Sequence, residues 1–136
     1  MISRLDAAIL IGCLGMAVVV AVPRHAQMST QSRVAEVAAL ARGASTAAQL
    51  AHSRWLAADR PPTIAGVRGV VAITHGYPSA ATLSLMLANA ETAAFQYDGG
   101  VWRHASVPAG TPCGVAYQPP AAAGQSPVIS DQTSGC

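Results

Sequence analysis

The chain has no lysine: all eight of its basic residues are arginine. Six acidic residues oppose them, and the net charge of +2 is spread along 136 residues without a cluster. No electrostatic footprint for nucleic acid is therefore present, and no segment is charged enough to act as an interaction tail. Large core formers are also scarce, with one Phe, two Trp and three Tyr. Much of the 51% apolar fraction is alanine, which fills space but removes little surface from water. A head of this composition has a modest core and needs help to be stable.

Patterns that carry chemistry are missing as well. His25, His52, His75 and His104 form no HxxxH, HxH or His/Cys pair at ligand spacing, so solvated histidines are expected rather than a metal site. There is no GxSxG and no P-loop. Glu36, Asp59, Glu91, Asp98 and Asp131 are scattered, with no two close in sequence. Neither a cofactor nor an enzymatic activity is expected. A membrane-anchored periplasmic enzyme would need an acid/base or metal constellation that the sequence does not display.

What is present begins with "LDAAILIGCLGMAVVVAVPR", residues 5–24. Ala7 to Val22 carries no charge and no proline, and is slightly shorter than the roughly 20 residues of an ordinary spanning helix. Three readings compete: a secretory segment cleaved near Ala26, a plain membrane anchor, or a segment that begins in the bilayer and ends in an assembly. Arg4 is largely cancelled by Asp6, which disfavours the first. An ionised carboxylate deep in hydrocarbon costs about 2.5–3.5 kcal/mol, so Asp6 is a functional candidate.

The helical pattern continues past Pro23 to Pro61. Val34, Val37, Ala41, Ala44, Ala48, Ala51 and Trp55 recur at three- and four-residue steps, with Arg33, Glu36, Arg42, Gln49 and His52 interrupting. Ser29 or Thr30 would cap a second helix start; a continuous helix, bent at Pro23, is the alternative. From Ile2 to Ala58 a continuous helix would extend about 85 Å. Beyond "DRPPT" the texture changes to strands and turns. "GVVAIT" is a short strand, "HGYPSAAT" a turn, and Leu83 to Glu91 a short helix capped by Thr82. Asp98-Gly99-Gly100 marks a tight hairpin between two aromatic-bearing strands. "CGVAYQ" and "VISDQ" are further strand candidates. These make a small antiparallel sheet, whose apolar face would pack on the alanine-rich helix. Trp55 and Trp102 are expected to anchor that core.

Cys113 and Cys136 bracket the C-terminal tail. A disulfide between them would tie that end down and contribute about 3 kcal/mol. It requires an oxidising compartment, in agreement with the membrane-like N-terminus. Three unrelated free thiols, Cys13 included, are the alternative.

Taken together these residues resemble type IV pilins, particularly the mannose-sensitive haemagglutinin type. With Ile2 as first mature residue, Asp6 falls on the family's carboxylate position, Gly15 on its helix-interior glycine and Pro23 on its proline. Asp6 stands where the family usually carries glutamate, and Ile2 where it usually carries phenylalanine. "ITHGYPSA" is similar to the recurring NGYP turn, and "CGVAYQPP" to "SGC" to the disulfide-bounded C-terminal loop. The resemblance implies an α+β pilin fold in which a long N-terminal helix packs on a small antiparallel sheet. Residues 1–24 would form the membrane and filament-core half of the helix, 25–60 its amphipathic half, and 61–136 the β-rich head. It also implies processing at Met1 and Ile2 with N-methylation, and an inner-membrane single-pass state with a periplasmic head. Polymerisation into an extracellular pilus would follow, with prepilin peptidase, the assembly machinery and other pilin subunits as partners. A secretion pseudopilin or minor pilin is the near alternative. A secreted disulfide-containing binding domain, released by signal peptidase, is the alternative of another class.

Overall fold

A computed structural model describes the chain's secondary structure from Arg4 onward and its side chains from Ser29 to Cys136. The fold is α+β. Helix α1 spans Arg4–Ala57, and the chain divides into two compact units, Met1–Ser32 and Arg33–Cys136. Ser29 and Thr30 lie inside α1 and start no second helix. The alanine-rich sequence on either side of them favours helix, and that propensity outweighs a local capping signal. The apolar segment Ala7–Val22 lies outside the residues whose side chains are described. Among the described residues no helix is long and apolar enough to cross a membrane.

α1 ends in a Schellman arrangement. The Arg60 N–H donates to the Trp55 carbonyl at 2.8 Å and the Asp59 N–H to the Leu56 carbonyl at 3.3 Å. Asp59 thereby takes a left-handed conformation, φ 67°, where glycine is usual. Pro61 and Pro62 then prevent any continuation.

The second unit holds two antiparallel sheets, where the sequence points to one. The first comprises β1 (Thr63–Ala65), β2 (Val70–Thr74) and β3 (Tyr77–Pro78), in that order. The second comprises β4 (Phe95–Asp98), β5 (Val101–His104), β6 (Gly114–Gln118) and β7 (Val128–Gln132), again in chain order. Two-residue turns set the register of two hairpins. His75 and Gly76 have φ of 50° and 87°, and Gly99 and Gly100 have 56° and 97°, as type I′ turns require. Gly100 is needed twice over, because a Cβ there would lie 2.8 Å from the Tyr117 carbonyl oxygen.

The expected helix over Leu83 to Glu91 is broken in two. Leu83–Met86 is a 3-10 turn and Asn89–Thr92 a single-turn helix, α2, with extended backbone at Leu87 and Ala88 between them. Thr82 precedes the first but makes no side-chain cap. Its hydroxyl instead accepts from the Ala72 N–H at 3.1 Å, binding this segment to β2.

One core joins the elements of this unit. α1 contributes Val37, Leu40, Ala44, Ala47, Ala48 and Ala51, and the rest includes Ile64, Val71, Leu83, Leu87, Trp102 and Val115. The buried stripe is displaced slightly from the expected one: Leu40 and Ala47 join it, Val34 is exposed, and Trp55 is partly buried. Trp102 is fully buried, and truncating a residue of this kind typically costs about 3–5 kcal/mol.

Two tyrosine hydroxyls in the interior are opposites in polar satisfaction. The Tyr117 hydroxyl donates to the Pro78 carbonyl at 2.7 Å, linking β6 to β3. The Tyr97 hydroxyl is buried and makes no hydrogen bond of good geometry; burial pushes its pKa up to about 12, and the Gly100 backbone nearby offsets this only in part. Tyr97→Phe is therefore expected to be neutral or slightly stabilising, whereas Tyr117→Phe should cost about 1–2 kcal/mol, because it orphans a buried carbonyl. Urea unfolding midpoints of the two variants check this; equal losses would contradict it.

Candidate functional site

Three polar residues that interrupt the apolar stripe of α1 turn out to fasten the head to it. Arg33 Nη1 donates to the Cys136 main-chain oxygen at 2.6 Å. His52 Nδ1 lies 2.7 Å from the Gly76 carbonyl, which only accepts, so this nitrogen carries the proton. The His52 ring also stacks on Tyr77, with centroids 4.3 Å apart and planes 3° from parallel. Gly76 permits this approach: a Cβ there would lie 2.8 Å from the Trp55 ring.

The third contact is the densest. His104 Nε2 lies 2.5 Å from Glu36 Oε2, joining β5 to α1. The Ser106 N–H points at His104 Nδ1 from 3.2 Å, and Ser106 Oγ is 2.7 Å from the same atom. A backbone N–H can only donate, so Nδ1 is the unprotonated nitrogen and Nε2–H faces the carboxylate. His104 is thus buried and bonded at both nitrogens, and His52 is stacked. The expectation of solvated histidines fails for both, because their partners are distant in sequence.

Hydroxyl, imidazole and carboxylate in series are the ingredients of an activated nucleophile. The arrangement nevertheless serves better as a clamp. The Ser106 N–H is engaged with the ring, so the backbone donor beside the hydroxyl is not free to stabilise an oxyanion. Among the described residues no three His, Cys, Asp or Glu side chains converge in a way that could hold a metal ion.

The tail is closed as expected. Cys113 and Cys136 form a disulfide with Cα atoms 4.9 Å apart. The Gly135 N–H adds a bond to the Pro112 carbonyl at 2.9 Å. With Arg33 on Cys136, the bridge connects the residue before β6, the tail and α1 in one chain of contacts. The other residues expected to act in assembly and processing, Met1, Ile2, Asp6, Gly15 and Pro23, lie outside the residues whose side chains are described.

Two grooves flank this seam. One, of about 380 Å³, runs past His52, Trp55, Arg60, His75 and Tyr77. The other, of about 470 Å³, has an alanine-rich floor with Glu36, Glu91 and Phe95 on its walls.

No family model, no curated protein and no solved structure matches this chain.

If the Glu36–His104–Ser106 series is a clamp, its members differ in weight. Glu36→Ala orphans a buried imidazole N–H and should cost about 1–3 kcal/mol. Ser106→Ala retains the backbone donor to Nδ1 and should cost under about 1 kcal/mol. Cys113→Ser should cost about 3 kcal/mol. Urea midpoints, with and without reductant for the cysteine variant, check all three.

Proposed function

We propose that the chain is a pilin-like structural subunit. It waits in the inner membrane with its head on the periplasmic side, then polymerises through its apolar N-terminal helix into a type IV pilus. The observation that carries this reading is the double role of α1. A single 54-residue helix supplies one wall of the head's core with its second half. Its first half contains the apolar run and is not part of that unit. A globular domain of this size has no need of so long a helix, whereas a subunit that is first anchored and then bundled does. The disulfide-closed tail, fastened back to α1 through Arg33, further supports the reading.

Asp6 has a specific part in this scheme. A carboxylate buried among bundled apolar helices is tolerable when it finds a cation. The free amino group at Ile2 of a neighbouring subunit supplies one, so the pair sets the stagger between subunits. Gly15 permits close helix approach, and Pro23 allows the helix to bend as subunits pack. Prepilin peptidase and the assembly machinery are the partners this requires. A secretion pseudopilin or minor pilin would use the same elements.

Intact-mass analysis of the membrane and sheared-fibre fractions tests the proposal. A mature chain beginning at Ile2, with an added methyl group, is the expected result. A chain beginning near Gln27 would instead mark a secreted domain released by signal peptidase. Asp6→Ala should leave the protein in the membrane fraction and remove it from sheared fibres. Breaking a buried ion pair costs about 3–5 kcal/mol, more than about a hundredfold in a subunit equilibrium. Normal fibre yield from this variant would overturn the role of Asp6.

A further inference from the structure

Several arginines of the head bond carbonyls and amides rather than carboxylates. Arg54 bonds the Ala65 carbonyl, Arg68 bonds two carbonyls and Asn89, and Arg103 bonds Val107 and Gln96. Arg60 lies over the Trp55 ring. Arg42 is the one arginine among the described residues with no hydrogen bond, ion pair or ring contact, and it stands exposed on α1. On the same helix, the groove of about 470 Å³ presents two carboxylates, Glu36 and Glu91, above a floor that includes Ala39, Leu40 and Gly43. α2 passes close to α1 here: a Cβ at Gly43 would stand in ordinary van der Waals contact with Glu91 Oε1, at 3.7 Å. Each carboxylate has one oxygen engaged within the chain, Glu36 Oε2 with His104 and Glu91 Oε2 with the Ala88 N–H. Among the described residues no arginine lines this groove.

We infer that the groove between α1 and α2 receives Arg42 of a second copy of this chain. The two surfaces match in charge and in form: a planar guanidinium on a long apolar stem fits two carboxylates over an alanine-lined floor. The helix itself turns Arg42 away from the groove of its own copy. Arg42 lies about 120° round α1 from Glu36 and about 9 Å further along it. A copy therefore offers its arginine on one side and its groove on another. Used head to tail, such a contact is heterologous and leaves a free groove and a free arginine at the ends, so that it can propagate along a filament. The inference rests on the polymerising role proposed above and places a lateral contact between heads within it.

The absence of lysine makes the contact directly testable. Arg42→Lys introduces the chain's single side-chain amine. A carbodiimide converts a carboxylate to an O-acylisourea. A lysine amine in contact with it then displaces the urea and forms an amide. Full-length Arg42→Lys protein, treated in membrane and sheared-fibre fractions, should give a ladder of dimers and higher multimers. Peptide mapping should join position 42 to Glu36 or Glu91. The same variant carrying Glu36→Gln and Glu91→Gln should lose the ladder, while far-UV circular dichroism reports whether it is folded. Absence of that joined peptide from folded Arg42→Lys protein overturns the contact, as does a joined peptide that maps to any other carboxylate. Fibre yield is scored separately. Fibres without the cross-link sink only this contact, whereas the cross-link without fibres sinks only the pilus reading.

Discussion

Ala44, Ala48 and Ala51 have no surface left exposed, and the head depends on how closely they let its sheets approach α1. A methyl side chain buries little area, so the helix contributes less by transfer from water than by removing distance. The large side chains are supplied from the opposite wall, by Trp102, Leu83 and Leu87. With one Phe and two Trp in the whole chain, neither wall makes a core alone. The head is therefore not an appendage mounted on a helix. It incorporates the second half of the helix, and any force on α1 is transmitted to the sheets.

Polar contacts fix the orientation that such a smooth surface leaves open. An alanine stripe offers shallow ridges, and a sheet could slide along it at small cost. Arg33 on Cys136, Glu36 on His104 and His52 on Gly76 each fix one point of the seam. They span more than five turns of α1. The disulfide adds to this by keeping Cys136 where Arg33 can reach it. Apolar burial thus sets how strongly the parts adhere, and the hydrogen bonds set where.

Much of this fold was legible in the sequence, for reasons that can be separated. The α+β class, the end of α1 before the prolines, the Gly99–Gly100 hairpin and the bridged tail all rest on local signals of known geometry. β1 was not legible, because three residues carry too little alternation to register as a strand. The helix over Leu83 to Glu91 failed because the Thr82 hydroxyl could choose Ala72, ten residues back, over the helix end beside it. The division into two sheets falls between β3 and β4, where the 3-10 turn and α2 intervene, and nothing in the strand texture on either side marks that break. The histidines were the chief miss. Nothing near His104 in the chain announces Glu36, 68 residues away. The one available clue was that Glu36 and His52 border the apolar stripe of α1, where a polar side chain can reach the packing partner.

The exclusive use of arginine has a structural logic that bears on assembly. Arg68 places three nitrogens of one guanidinium on Leu87, Asn89 and Ser84, securing a segment whose helix is interrupted. A lysine ammonium, a point charge on a flexible stem, would not hold three acceptors in that fixed fork. Arg54 and Arg103 likewise bond main-chain carbonyls in loops and strand ends. The consequence is electrostatic. Cations committed to the chain's own carbonyls are not placed to neutralise its carboxylates, so Glu91, Asp98 and Asp131 form no ion pair among the described residues. In the proposed polymer, a head that leaves opposite charges apart on its own surface would bring them together with those of another copy. Each such rim contact is individually weak, but in a polymer it recurs at every subunit.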